Sequence, residues 1–562
     1  MSNSKLLFIG AIVAAAGSGC GGGAGTGTPG AAVPGSQLPA AVAAVAQVYP
    51  LPWQTVANTA TSVPGGDGRT FNSFNQPSVN MDGIVVLRAR TKGAQGAGEP
   101  WRGIYMRDMA AAGSLSALFD NGTVVPSPNN IDYQGSLATF TEFPAFPRIG
   151  LDNATVVTRG QSKPVWTYTL PDGTETRVGT SGVYASRMGQ RVTAASQLGQ
   201  VNGFERFSVP GAPAGTRFDQ FPGAPAVADT QTVVLKGNYT DGASKTGIFF
   251  RRFVDQPAPA AMQVIANSDT LIPGQPAGGV RFGSTAPPSA VDGSTVFLGL
   301  DNEDAPTLGG IYLAPLATMP ALRPLVTIGG AVPGEAAGTV FTRLGEALSY
   351  DGQFVSFWGA WGTETRSITL ACPTDGQQAV IAYCQSQYPA GFGVQVPVHQ
   401  GFFVHDTKTG GTFVIAKTGT DYLDFMFWTF SGRPPGVGEA ESDDPEPPRW
   451  RASAFSAAFS DKPHAGQVAF KARRTGSPAV DGIHLAELDT NGKAPAVAIT
   501  AAIETGTSAR DVDPAAPAGA QVITVGLERD GLRNGWLAIA AGMLDTATSE
   551  SWAGVYVRRT RK

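Results

Sequence analysis

Histidine and cysteine are scarce in this chain, 4 and 3 among 562 residues, and charged side chains make up only 15% of it. So little charge excludes a polyelectrolyte tail or a long charged helix as the main body. The formal net charge is -4, and the one dense basic run, Arg558, Arg559, Arg561 and Lys562, reads as a solvated terminus. A nucleic-acid partner is therefore not expected. H-E-x-x-H, G-x-S-x-G and the P-loop are all missing. Their absence removes the sequence basis for a zinc protease, a nucleophile-elbow hydrolase or a P-loop nucleotide enzyme. The N-terminal apolar run, Leu6 to Ala16, is too short to span a bilayer permanently.

Gly (72) and Pro (42) are abundant, and together they form about a fifth of the chain. With 42% hydrophobic residues, that composition suits many short strands joined by tight turns, so an all-β fold is expected.

The first 20 residues carry Lys5, the apolar run and then Gly17-Ser18-Gly19-Cys20, the three-part layout of a secretory signal. Small residues before a cysteine resemble a bacterial lipobox, although Gly17 stands where an aliphatic residue is usual. That resemblance implies lipidation of Cys20 after cleavage, with ordinary signal cleavage as the alternative. Residues 21–49, opening on a Gly/Ala/Pro/Thr-rich tract, are expected to be a flexible tether. The protein is then placed outside the cytoplasm, held at the outer membrane by its lipid. In such an oxidising compartment Cys372 and Cys384 are expected to form a disulfide, a metal pair being the alternative.

From residue 50 onward the chain repeats itself. The plainest unit is Asp292 to Gly334, with an Asp-Gly turn, a Thr295-to-Leu298 strand, Gly310-Ile311-Tyr312, and a Val332-Pro333-Gly334 turn. Copies enter at Phe71, Phe140, Phe218, Phe282, Phe341, near Phe455 and near Pro514. The matching second strands carry Gly103-Ile104-Tyr105, Gly182-Val183-Tyr184, Gly247-Ile248-Phe249, Gly401-Phe402-Phe403, Gly482-Ile483-His484 and Gly554-Val555-Tyr556. The seventh copy lacks its last strand, while WQTVANTATSVPG at Trp53 to Gly65 matches the VIANSDTLIPG element of the third. The N-terminal strand is therefore expected to complete the last repeat and close a ring, which removes the open sheet edge. These motifs resemble the seven-bladed β-propellers of secreted bacterial proteins, over roughly residue 50 to the C-terminus. The resemblance implies a fold and no assigned activity. One propeller over 50–562 is expected, with an insertion over about 370–450 in its fifth blade and a monomeric state.

Chemistry-bearing residues are few. Asp301, Asn302, Glu303 and Asp304 bring oxygens close together on a loop, which raises a Ca²⁺ site beside the plainer reading of a solvated loop. His399 and His405 flank one strand at a spacing that places both on one face, the arrangement of a metal pair. The long fifth repeat gathers Trp358, Trp361, His399, His405, Tyr422 and Trp428, which are expected either to form a binding rim for a protein or glycan or to pack as the insertion's own core. Three functions stay open: a lipid-anchored binding or scaffold module, a propeller enzyme of the lyase or glycosidase type with its site at the channel mouth, and a component of an envelope assembly resembling the propellers that work with outer-membrane machinery.

Overall fold

A phenylalanine, a small residue and a second aromatic ring meet at the same place in blade after blade. The rings of Phe71 and Tyr105 lie 4.9 Å apart, Phe140 and Tyr184 4.8 Å, Phe218 and Phe249 4.9 Å, Phe282 and Tyr312 5.4 Å, and Phe341 and Phe403 5.0 Å, all edge to face. The edge-to-face geometry sets positive ring edges against negative faces. It needs a small residue between the rings, glycine in blades 2 to 5 and Ala89 in blade 1. A Cβ at Gly237 would fall 2.5 Å from the Phe218 ring, and one at Gly299 2.6 Å from Phe282. The repeated Phe, Gly and Gly-Ile-Tyr elements are thus one packing device.

The computed structural model describes residues 51–561 apart from 93–99, 131, 134–135, 163–164, 170–174, 180, 254–259, 375–377, 435–445 and 490–495. Seven antiparallel sheets of five strands follow one another along the chain. In each, the first strand is broken into two pieces that pair with the same second strand. In blade 1, Phe71–Phe74 and Ser78–Val79 both pair with Ile84–Thr91, followed by Arg102–Asp108 and Ser116–Asp120. The inner pieces touch in succession and the seventh meets the first, which closes a ring. Second strands such as Val85-Val86-Leu87 and Val233-Val234-Leu235 are fully buried, because each blade is covered on both faces by its neighbours.

The seventh blade is completed from the other end of the chain. Gln54–Asn58 pairs antiparallel with Glu550–Arg559, as expected from the missing last strand. A buried carboxylate fastens this seam: Asp513 Oδ2 accepts from Asn58 Nδ2 at 2.8 Å, Trp552 Nε1 at 2.9 Å and Tyr556 Oη at 3.1 Å.

The expected single insertion in the fifth blade divides in two. Blade 5 extends its second and third strands, Phe354–Leu370 and Phe392–Asp406, around the helix Gln378–Gln387, which the Cys372–Cys384 disulfide ties down. Its fourth strand, Thr412–Lys417, then ends the blade. Blade 6 begins at Tyr422–Asp424, not near Phe455, and a hairpin of Phe427–Arg433 with Glu446–Ser453 interrupts its first strand. A tyrosine in place of the entry phenylalanine, followed by the hairpin, separated that strand's two halves and hid the register.

Replacing Asp513 by Ala leaves three buried donors without an acceptor. A loss of about 3 kcal/mol or more is expected, read as a lower denaturation midpoint. An unchanged midpoint means that the clasp does not hold the seam.

Candidate functional site

The broken first strands give the ring two unlike ends. At one end the first strand turns tightly into the second, as at Asp292-Gly293. At the other end, called upper here, lie the longer connections between second and third strands: the 301–308 loop, the disulfide-bearing extension of blade 5 and, rising from the break in blade 6, the 427–453 hairpin. The packing of Trp450 and Phe430 against Tyr388 joins that hairpin to the blade 5 extension.

At mid-depth the channel is closed by a turn of the seventh blade. The segment Leu527 to Gly531 crosses it, with the Arg529 carbonyl accepting from Ser349 Oγ of blade 5 at 2.6 Å and the Asp530 carbonyl accepting from Val79 N of blade 1 at 2.9 Å. Asp530 accepts from both Arg148 and Arg533. Arg148 also donates to Ser289 Oγ at 3.0 Å and Pro288 O at 3.2 Å, and Arg533 donates to Ala458 O at 2.9 Å. Arg148 stands in a register position where blades 1, 4 and 5 carry Ser78, Ser289 and Ser349. Burial opposes the charge on Asp530, but the two guanidiniums prevail and hold its carboxyl below the usual range.

Above this plug, the breaks in the first strands open one register position of the second strands toward the channel. It lies opposite the middle residue of the Gly-Ile-Tyr element, Ile or Val except for Phe402 in blade 5, and holds Arg88, Arg159, Lys236, Leu298, Trp358, Lys471 and Ala540 in blades 1 to 7. Four of the seven are basic. Arg88 pairs with Glu142 at 2.7 Å, and Lys471 lies 3.8 Å over the ring of Phe427. Arg159 and Lys236 have no hydrogen-bond or ion-pair partner among the described residues, and the Arg159 Nε is closed off from solvent. Burial lowers the pKa of Arg159 to about 10, and Arg451 of the blade 6 hairpin adds like-charge repulsion. Burial also lowers Lys236, with Arg449 and Arg451 pushing the same way and Glu346 and Glu303 opposing.

The acidic side of the mouth is Glu303 and Glu346. Arg449 reaches across to Glu303 at 3.7 Å. Glu346, in the first-strand break of blade 5, is open to water, yet burial is the largest influence raising its pKa, with Glu303 adding to it. Both hold for a side chain on the wall of a water-filled recess, which touches solvent but has protein on its other sides. A small cavity of about 50 Å³ lies here, lined by Glu303, Glu346, Leu298 and Leu344. A larger one, about 260 Å³, sits far from this charge, in the seam between blades 1 and 7.

The residues expected to form a rim do not come together on a surface. Trp358 is buried and donates to Gln400 Oε1 at 2.9 Å, Trp361 is buried against the imidazole of His399, and Tyr422 packs on Phe425, Phe470 and His484. His399 lies near Glu364 at 3.5 Å and is half-exposed, whereas His405 is buried on Thr412 Oγ1 at 2.9 Å. Six residues of strand separate the two imidazoles by about 20 Å, so they are no metal pair. Trp428 lies half-buried in the blade 6 hairpin. The long strands of blade 5 carry these aromatics into the blade core, where β-structure places alternate side chains.

The Ca²⁺ reading of Asp301 to Asp304 is not supported either. Asp301 spends its oxygens on its own loop, accepting from Asn302 N, Thr307 N and Leu308 N at 3.0 Å, while Asn302 Oδ1 accepts from Asp304 N at 2.8 Å. Among the described residues no group of three His, Cys, Asp or Glu side chains could hold a metal ion. Cys20 lies outside the described residues.

No family model matches the chain, and no curated protein matches it. Among solved structures the chain is similar to an oligogalacturonate lyase in complex with manganese, at 8% identity and a TM-score of 0.36, covering 91% of this chain and 96% of that one. It is also similar to an exo-inulinase from Aspergillus awamori, at 9% identity and a TM-score of 0.26 over 76% and 90% of the two chains. The tricorn protease gives 11% identity and a TM-score of 0.15 over 83% and 46%. At such scores none of these likenesses carries a residue or an activity across. The site must be argued from its own atoms.

Two outcomes are expected from these buried groups. Changing Asp530 to Asn leaves two buried guanidiniums without their carboxylate and costs about 3–5 kcal/mol, read by urea unfolding. An unchanged midpoint would show that the plug is not bound by that carboxylate. The second concerns acid. Burial, with help from Arg323 and Arg474, pushes His405 and His484 down to about 4 each. Between the ordinary imidazole value near 6.5 and 4 the unfolded chain binds more protons, so stability falls on acidification across that window and is flat above it. A His405→Gln, His484→Tyr double variant flattens the slope; a slope equal to the parent's excludes these two imidazoles.

Proposed function

We propose that this protein is a lipid-anchored, extracytoplasmic β-propeller that acts as a binding module at the cell envelope, receiving its ligand at the upper mouth of the ring. The observation that carries the reading is the one-ended channel. The Glu528-Arg529-Asp530 turn blocks it at mid-depth, while the longer loops and the blade 6 hairpin gather above the block. A ligand enters such a recess from one side and meets side chains from several blades. That is the usual geometry of a recognition site built from loops on a rigid scaffold. The anchor rests on Cys20 and its lipobox-like approach, and the tether after it would let the ring reach ligands away from the membrane.

One observation favours the enzyme reading as a second choice. Glu346 holds its proton more firmly than a free carboxyl, and Glu303 and Lys236 influence it in opposite senses, the ingredients of a general acid at a channel mouth. Glu346→Gln separates the two readings: it abolishes turnover of an acting enzyme and leaves a binding module's affinity within a few-fold.

The anchor is tested by mass spectrometry of the mature protein and by membrane fractionation. A diacylated Cys20 N-terminus in the membrane fraction is expected, with Cys20→Ser released in soluble form. An unmodified N-terminus beginning at another residue overturns the anchor.

A further inference from the structure

We infer that the upper mouth recognises a ligand carrying at least two anionic groups, carboxylate, phosphate or sulfate, with Arg159, Lys236 and Arg451 as the residues that contact them. This rests on the binding-module reading and adds the ligand's charge to it.

Three cations from three separate elements lie near enough for Arg451 to act on both Arg159 and Lys236. Arg159 and Lys236 occupy the same register position on neighbouring blades, each facing the gap where the first strand is broken. Arg451 arrives on the blade 6 hairpin, whose neighbouring Arg449 reaches as far as Glu303 of blade 4. Among the described residues none of the three has an acceptor; Arg159 and Lys236 are part-buried, and Arg451 is exposed. Other buried or part-buried cations are provided for by acceptors, Arg88 by Glu142 and Asn75, Arg148 and Arg533 by Asp530, and Arg251 by the carbonyls of Thr193 and Ala260, or by an aromatic ring, as Arg206 is by Phe207 and Arg558 by Trp53. The contrast matters because an unpaired charge withdrawn from water is costly, and so is setting a like charge beside it.

A fold built by repetition has an inexpensive alternative at this position. Blade 4 fills it with Leu298 and blade 7 with Ala540. Blades 2 and 3 instead keep cations that have no acceptor among the described residues. Guanidinium forks and an ammonium around a recess match separated oxyanions, and the flanking Glu303 and Glu346 disfavour a single diffuse anion in favour of one whose charges are spaced. The recess opens to solvent on one side only, so a chain end or a compact polyanion fits better than a through-threaded polymer.

Isothermal titration of the full chain with inorganic pyrophosphate, a hexuronate trimer and the neutral hexose trimer tests the inference at low and at 150 mM salt. At least one anionic probe is expected to bind, more weakly at the higher salt, and the neutral trimer at least about tenfold more weakly; which anion binds distinguishes a phosphate ligand from an acidic glycan. Arg159→Met and Lys236→Met should each weaken that binding by about tenfold or more while the melting temperature stays level or rises, since each removes an uncompensated charge. Lys236→Arg should retain most of it. A falling melting temperature with unchanged affinity would make these cations structural and overturn the inference. So would equal binding of the neutral trimer, or no binding of either anion. The anchor is read separately by the Cys20 measurements and the enzyme alternative by Glu346→Gln, so failure here is distinguishable from failure there.

Discussion

The pairing of Gln54–Asn58 with Glu550–Arg559 is the constraint on which the rest depends. Each blade buries both faces against its neighbours, so no blade is stable with one face open, and a ring with a missing strand would expose both an edge and an apolar flank. Joining the two ends of the chain satisfies the last edge with the first strand. It also makes the fold long-range in sequence: the strand at residue 54 has no partner until residue 559 exists. Asp513 adds direction to this pairing, since its carboxylate gathers one donor from the N-terminal strand and two from the C-terminal region.

Closure creates an axial channel, and an axial channel in a seven-membered ring is too wide for small inner-strand side chains to fill. Ser78, Ala226, Ser289 and Ser349 line it and leave space. The seventh blade fills that space with a turn, and Arg148 and Arg533 neutralise the buried Asp530 that the turn carries inward. An apolar plug could be as stable, because desolvation consumes much of what a buried ion pair returns. What charge adds is direction: Arg148 reaches blades 4 and 7 at once, and Arg533 reaches blade 6, so the plug fixes how blades face one another across the axis.

The fold was legible because repetition reports geometry. The Asp-Gly turns, the Phe and Gly-Ile-Tyr elements and the stray WQTVANTATSVPG strand each recur for a packing reason, and each landed where the pattern placed it. The sixth entry differs from the expected one because Tyr422 and the 427–453 hairpin break the template, and the aromatics of the fifth repeat stay open between rim and core because strand periodicity alone does not say which face a neighbouring blade covers. Trp358 shows the point: it occupies the same register position as Arg159 and Lys236, yet its indole is satisfied by Gln400 inside the blade.

The same example explains why the candidate site was not visible. A repeat array is read by its agreements, but agreement marks what every blade needs in order to pack, and no single blade needs a ligand. Aligning the second strands and asking where they disagree would have isolated the position of Arg88, Arg159, Lys236, Leu298, Trp358, Lys471 and Ala540, a set that no shared packing rule explains. Disagreement alone still does not make a site, since Lys471 is held over the Phe427 ring and Arg88 is paired with Glu142. The separating criterion is satisfaction. The positions proposed to meet a partner from outside the chain are those where sequence variation and a missing acceptor coincide at the mouth, unlike Arg558, whose Nε also lacks an acceptor but which lies over the Trp53 ring.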